Sequence, residues 1–179
     1  MSPRRIYLLV LAGAAAACAL VFAPVLEAGL GGSGAVNAVA RLAFSKVCHQ
    51  MPERSLWLSG VCLPVCARCT GIYAGFMLGW LCWRMVPEPR RGRPISTALL
   101  LAGIAPLGVD GLINTTTLIT SPAWFRVATG LLVGAVAARA LWPALLEAAK
   151  IIQEAYRQYF RAGAGSHAAA IQPFKGDRT

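Results

Sequence analysis

The chain has 179 residues, of which 57% are hydrophobic and 13% charged, with a mean hydropathy of +0.59 and a formal net charge of +10. An ordinary soluble domain carries about 25% charged residues, so this composition excludes a disordered chain and a soluble globular domain and points to a membrane protein. The basic excess lies between apolar runs rather than in a polar domain, which reads as membrane topology and not as nucleic-acid binding.

The first apolar run, Ile6 to Leu26, is uncharged and long enough to cross about 30 Å of hydrocarbon as a helix. It exceeds the usual apolar core of a signal peptide, and no small-x-small cleavage site follows it, so it is read as a retained span. A long connection, residues 27–69, comes next. Within it, Val36, Val39, Ala40, Ala43 and Val47 follow helical spacing and predict a short helix along the outer interface.

Residues 70–86 form the second predicted span, with Gly71, Gly75 and Gly79 on one face. Such a stripe lets a neighbouring helix come close. Prolines and arginines from Pro87 to Pro94 then stop the helix and mark a cytoplasmic loop. The third span is predicted at 95–119, with Asp110 inside it, and the fourth at 124–146, with Gly130 and Gly134 four apart, Arg126 near its start and Arg139 near its end. A tight turn around Thr120-Ser121-Pro122 joins them.

After the fourth span, Leu145, Leu146, Ala149, Ile152, Tyr156, Tyr159 and Phe160 recur at helical spacing among charged residues. This pattern fits an amphipathic helix on the inner leaflet or a continuation of the fourth helix into water. The Gly/Ala-rich stretch 163–179 reads as a loose tail, leaving 1–162 as one membrane domain. With the N-terminus inside, twelve basic residues face the cytoplasm (Arg4, Arg5, Arg84, Arg90, Arg91, Arg93, Arg139, Lys150, Arg157, Arg161, Lys175, Arg178) and five face out (Arg41, Lys46, Arg54, Arg68, Arg126). The expectation is an all-α, four-span protein of the plasma or inner membrane with both termini cytoplasmic.

Four of the six cysteines fall between Cys48 and Cys69, together with His49. The other two, Cys18 and Cys82, sit within spans as small apolar residues. Three chemistries fit the cluster. Cys48, His49, Cys66 and Cys69 offer three thiolates and an imidazole, a donor set for tetrahedral zinc, and soft enough for copper(I) or iron. Adjacent residues rarely both reach one metal, so His49 is alternatively a group facing a substrate, with Cys62 completing the set. In the second chemistry, Cys66-Ala67-Arg68-Cys69 at a helix N-terminus favours a thiolate. That suits thiol–disulfide exchange between an outside thiol and a membrane quinone, with Cys48 or Cys62 as shuttle and Trp57, Tyr73 and Trp124 near the quinone. The third is a non-enzymatic scaffold with structural disulfides, as an oxidising outer face allows. Thr70 stands where a Cys-x-x-Cys-His motif needs histidine, which argues against covalent haem.

Asp110 and Arg126 both map to the outer half of the bilayer, where a buried charge needs a partner. An Asp110–Arg126 pair across the short turn is the expectation; it is either a structural ion pair, with Arg126 at the interface, or it borders the pocket of His49, Cys66, Cys69 and Tyr73, in which case Asp110, Arg126 and His49 are the catalytic candidates. Arg54 and Arg68 make that pocket basic, which suits an anionic lipid or another anionic small molecule. A homo-oligomer is compatible with the pattern.

Cys48-His49-Gln50, Pro52, Arg54-Ser55, Pro64 and Cys66-Ala67-Arg68-Cys69-Thr70-Gly71-Ile72-Tyr73 with Gly75 resemble a family of small polytopic prokaryotic membrane proteins of unknown function, marked by those two cysteine motifs. The resemblance runs from about Val47 to Gly134 and continues weakly through Asp110-Gly111 and Arg126 with Thr129-Gly130. Asn114 stands where the pattern has Gln, Ala123 where it has Asn, and Cys62 lies outside it. The resemblance implies a membrane fold and no particular reaction.

Overall fold

The structure, a computed structural model, describes residues 2–83, 85–87, 94–115 and 121–170. Helix α1 spans Pro3–Gly29 and α2 Ala35–Phe44. A single 3-10 turn at Pro52–Arg54 leads into strands β1, Ser55–Leu58, and β2, Val61–Cys66. Helices α3, Ala67–Trp83, α4, Thr97–Thr115, and α5, Ala123–Ala170, complete the order.

Helix α1 covers the predicted first span, and α2 lies in the stretch where a short helix is predicted. At 27 residues α1 is about 40 Å long, more than enough to cross a bilayer. Among the described residues, α1 and α5 are long and apolar enough to cross a membrane. Helices α3 and α4 have 17 and 19 described residues. Residues 84 and 116–120, into which the predicted spans run, lie outside the described residues, as do 88–93 of the arginine-rich loop and Thr120 of the turn.

One expectation needs correction. The protein is not purely α-helical: β1 and β2 form an antiparallel hairpin inside the long connection. Its Leu58–Val61 closure leaves a two-residue loop, Ser59-Gly60, with φ of 51° and 78°. Positive φ at both positions is what a tight, right-twisted hairpin demands, and glycine meets that demand freely. Of the two readings for the stretch after the predicted fourth span, the structure has the continuation, because α5 runs unbroken through Pro143 to Ala170. It passes residue 163, where the sequence predicts the tail to begin; residues 171–179 lie outside the described residues.

The main helix pair is α3 on α5. Gly71 and Gly75 meet the α5 backbone at Val127 and Leu131, while Gly130 and Gly134 meet the α3 backbone at Arg68 and Ile72. Small residues on both partners let the two backbones touch. One end of the molecule is closed by aromatic packing. Trp80 is fully buried, stacks between Tyr7 and Phe76 at 5.7 and 5.8 Å, and meets Trp142 edge-on at 5.7 Å. Its indole N–H donates to the Tyr7 carbonyl, tying α1 to α3. Arg139 lies over the Trp83 ring at 4.2 Å. A second core, of Val21, Phe44, Cys48, Leu63 and Val65, forms where the hairpin packs on α1 and α2.

Candidate functional site

Cys48 follows α2 by four residues, and its N–H still donates to the Phe44 carbonyl at 3.0 Å. Gln50 then takes a left-handed conformation, φ 54°, and its side-chain amide donates to the Arg41 carbonyl. The chain is thereby turned away from α2 and into the hairpin. Strand β2 brings it back: Ser55 pairs with Cys66, and the Cys66 N–H donates to the Cys48 sulfur at 3.2 Å. Helix α3 starts at the next residue. Cys69, three residues further on, falls on the same face one turn later.

The result is a triangle of thiols. The sulfurs of Cys48, Cys66 and Cys69 all lie within 4.8 Å of one another, Cys48 buried and the other two half-buried. All six cysteines are free thiols. Three mutual neighbours can form one disulfide at most, leaving an odd thiol.

Of the other predicted donors, His49 and Cys62 stand outside the triangle. Cys62 is buried, and its thiol is directed to the Leu63 carbonyl at 3.7 Å. His49 is exposed on the wall of an adjacent cavity of about 150 Å³, whose other lining residues are Met51, Arg54, Cys66, Arg68 and Arg126. Trp57 and Trp124 are 60% and 71% exposed, and Tyr73 packs on Phe44 at 5.2 Å. None of these three aromatic residues lines that cavity. Cys18, given no role from the sequence, donates from its thiol to the Tyr73 carbonyl at 3.4 Å and links α1 to α3.

Asp110 is fully buried and forms an ion pair with Arg68. Its other oxygen accepts from the Ser121 hydroxyl. Arg126, 5% exposed, acts on the same carboxylate through its charge. The sequence pointed to Arg126 as the partner and treated Arg68 only as a source of positive charge. The structure adds Arg68 from α3, two residues beyond Cys66, so the buried carboxylate is tied to the thiol end of the molecule. Ser121 was missed entirely; its position just before α5 was the available signal. The Arg68 Nε–H is buried and has no acceptor among the described residues.

The Cys66 thiol is pulled down from 9.0 to about 5. Hydrogen bonding from the Cys69 thiol is the main cause. Burial opposes it, and the Cys69 N–H, the Cys48 thiol and the Arg68 N–H add to it. A depressed pKa puts the reactive thiolate above pH 5. In metal-free protein, Cys66 is therefore expected to react with iodoacetamide at a rate that falls only as pH drops through about 5. Mass-spectrometric alkylation profiles check this, and a midpoint near 9 for Cys66 contradicts it.

A family model described as "Predicted membrane protein (DUF2085)" matches residues 48–139. An uncharacterized protein of Methanocaldococcus jannaschii is 33% identical over 91 residues, covering 51% of this chain and 58% of that protein. An uncharacterized protein of Methanothermobacter thermautotrophicus is 35% identical over 91 residues, covering 51% of this chain and 80% of its own. The similarity therefore spans little more than half the length of the first of these relatives. No solved structure matches the chain. The matched region opens at Cys48 and contains the whole thiol triangle, Asp110 and Arg126.

Proposed function

The chain belongs to the DUF2085 family of predicted membrane proteins, and from that premise we propose a polytopic inner-membrane protein whose outer rim holds a metal ion, zinc foremost, on Cys48, Cys66 and Cys69. One observation carries the reading: three sulfurs from separate parts of the chain lie within 4.8 Å of one another. Zinc binds thiolate at about 2.3 Å with tetrahedral angles, so bound sulfurs sit roughly 3.8 Å apart. The triangle has to tighten by no more than about 1 Å to meet that geometry. Cys66, already favoured as a thiolate, starts the coordination without a proton to lose.

Three protein ligands leave one position of a tetrahedral ion open, the pattern of sites that bind water or substrate rather than purely structural ones. His49 lines the same cavity as Cys66. The proposed topology has four spans, α1, α3, α4 and α5, with both termini cytoplasmic. It rests on the excess of Lys and Arg on the side opposite the thiols.

Metal analysis of detergent-purified protein tests the site. One zinc per chain is expected, falling at least tenfold in Cys66→Ser and unchanged in Cys82→Ser, whose thiol lies outside the triangle. Wild-type protein with almost no metal after metal-replete, reducing purification overturns the reading.

A second reading draws on the same depressed Cys66 thiol. Closing a Cys66 thiolate and a Cys69 thiol to a disulfide releases two electrons and one proton, which a membrane quinone takes up with a second proton from water to become a quinol. The positions of Trp57, Tyr73 and Trp124 away from the cavity give it no aromatic slot there. It gains only if the purified protein lacks metal and its Cys66–Cys69 pair follows the redox state of the quinone pool in cells.

A further inference from the structure

The cavity beside the thiols has a lining that metal binding does not use. Arg54 comes from the turn before β1, Arg68 from α3 and Arg126 from α5. We propose that this cavity binds a phosphate-type oxyanion, carried either by a free phosphate or by the headgroup of an anionic phospholipid. The inference deepens the metal reading, because it names what reaches the open side of the thiolate site; binding of the anion is nonetheless measurable without the metal.

Charge is the first support. Guanidinium groups repel one another, and a partly buried cluster of them needs compensating negative charge. Asp110 supplies one unit through Arg68. A divalent ion on three thiolates contributes one more negative unit. Against three arginines this leaves one positive charge on the cavity wall, enough to hold a monoanion.

Hydrogen bonding is the second. Arg68 uses its Nη2 on Asp110, and its half-buried side chain also lines the cavity. The planar arginine fork matches phosphate oxygens closely. Cys66 and Arg68 also bring the start of α3 to the cavity, where the helix dipole adds positive potential.

Size is the third. A cavity of about 150 Å³ has room for several waters and so for a tetrahedral oxyanion. Depth also fits a lipid source. Exposed Trp57 and Trp124 lie three residues after Arg54 and two before Arg126, and exposed tryptophan marks the headgroup level of a bilayer.

The test uses the full chain, zinc-loaded and zinc-stripped. In neutral detergent, equilibrium dialysis with radiolabelled inorganic phosphate reads the free ion. Native mass spectrometry after exposure to phosphatidylglycerol reads the headgroup. Arg54→Gln is the first variant, because Arg54 is exposed and its loss leaves the fold intact, and Arg54→Glu is the second. Saturable phosphate binding, at least tenfold weaker in Arg54→Gln and lost in Arg54→Glu, supports a free-ion site. Retained phosphatidylglycerol without phosphate binding, with the same variant order, supports a headgroup site. No binding of either, or binding equal in wild type and both variants, overturns the proposal. Zinc measured on the same samples separates the two readings: anion binding without zinc sinks only the metal site, and zinc without anion binding sinks only the oxyanion site.

Discussion

Asp110→Leu is expected to destabilise the protein by about 3–5 kcal/mol, the usual penalty for removing one partner of a buried ion pair. The substitution keeps an apolar side chain of similar bulk where the carboxylate was, so the loss reports charge and hydrogen bonding rather than a cavity. Arg68 loses its direct partner, Arg126 loses the negative charge that acts on it, and the buried Ser121 hydroxyl loses its acceptor. Asp110→Asn retains a hydrogen-bond acceptor for Ser121 and is expected to fall in between. The double variant Arg68→Met/Asp110→Leu removes both charges and is expected to recover part of the loss, because the isolated guanidinium is the costly species. SDS-unfolding titrations in mixed micelles read all three. An Asp110→Leu loss under about 1 kcal/mol contradicts the charge network.

Gly75→Leu is expected to separate α3 from α5. A Cβ added at Gly75 sits 2.2 Å from the Leu131 carbonyl oxygen, and one added at Gly134 sits 2.2 Å from the Ile72 carbonyl oxygen. Both obstacles are backbone, which cannot swing aside as a side chain does. Even Gly75→Ala forces the helices apart, at about 1–3 kcal/mol for overpacking, and leucine exceeds that. Because Cys66 immediately precedes α3 and Cys69 lies in its first turn, zinc content is expected to fall with stability in the same variant. Gly108→Ala is the control, since nothing lies within 4 Å of the added methyl. Equal unfolding midpoints for Gly75→Leu and Gly108→Ala contradict the close crossing.

The glycine stripes were legible because helical period alone puts Gly71 and Gly75 on one face and Gly130 and Gly134 on another. Gathering of polar residues at the thiol end was legible from depth along the spans. The hairpin was not, because Val61 to Cys66 is a continuous apolar run whose period fits no single element. Ser59-Gly60 was the turn signal that could have revealed it. Missing the hairpin hid how Cys48 and Cys66, 18 residues apart, come within reach of each other. The Arg68–Asp110 pair joins residues 42 apart on different helices, a contact that depends on helix rotation and not on spacing. The unbroken course of α5 through Pro143 was one of two readings, because an amphipathic pattern is the same on a bilayer surface and in water.

Extended X-ray absorption at the zinc edge of the purified, reduced protein tests the thiolate site most directly, since it counts sulfur neighbours of the metal. Three sulfur scatterers at about 2.3 Å with a single lighter atom are expected, falling to two sulfurs or to no bound zinc in Cys66→Ser. A wild-type spectrum with nitrogen and oxygen neighbours alone contradicts a metal held by Cys48, Cys66 and Cys69.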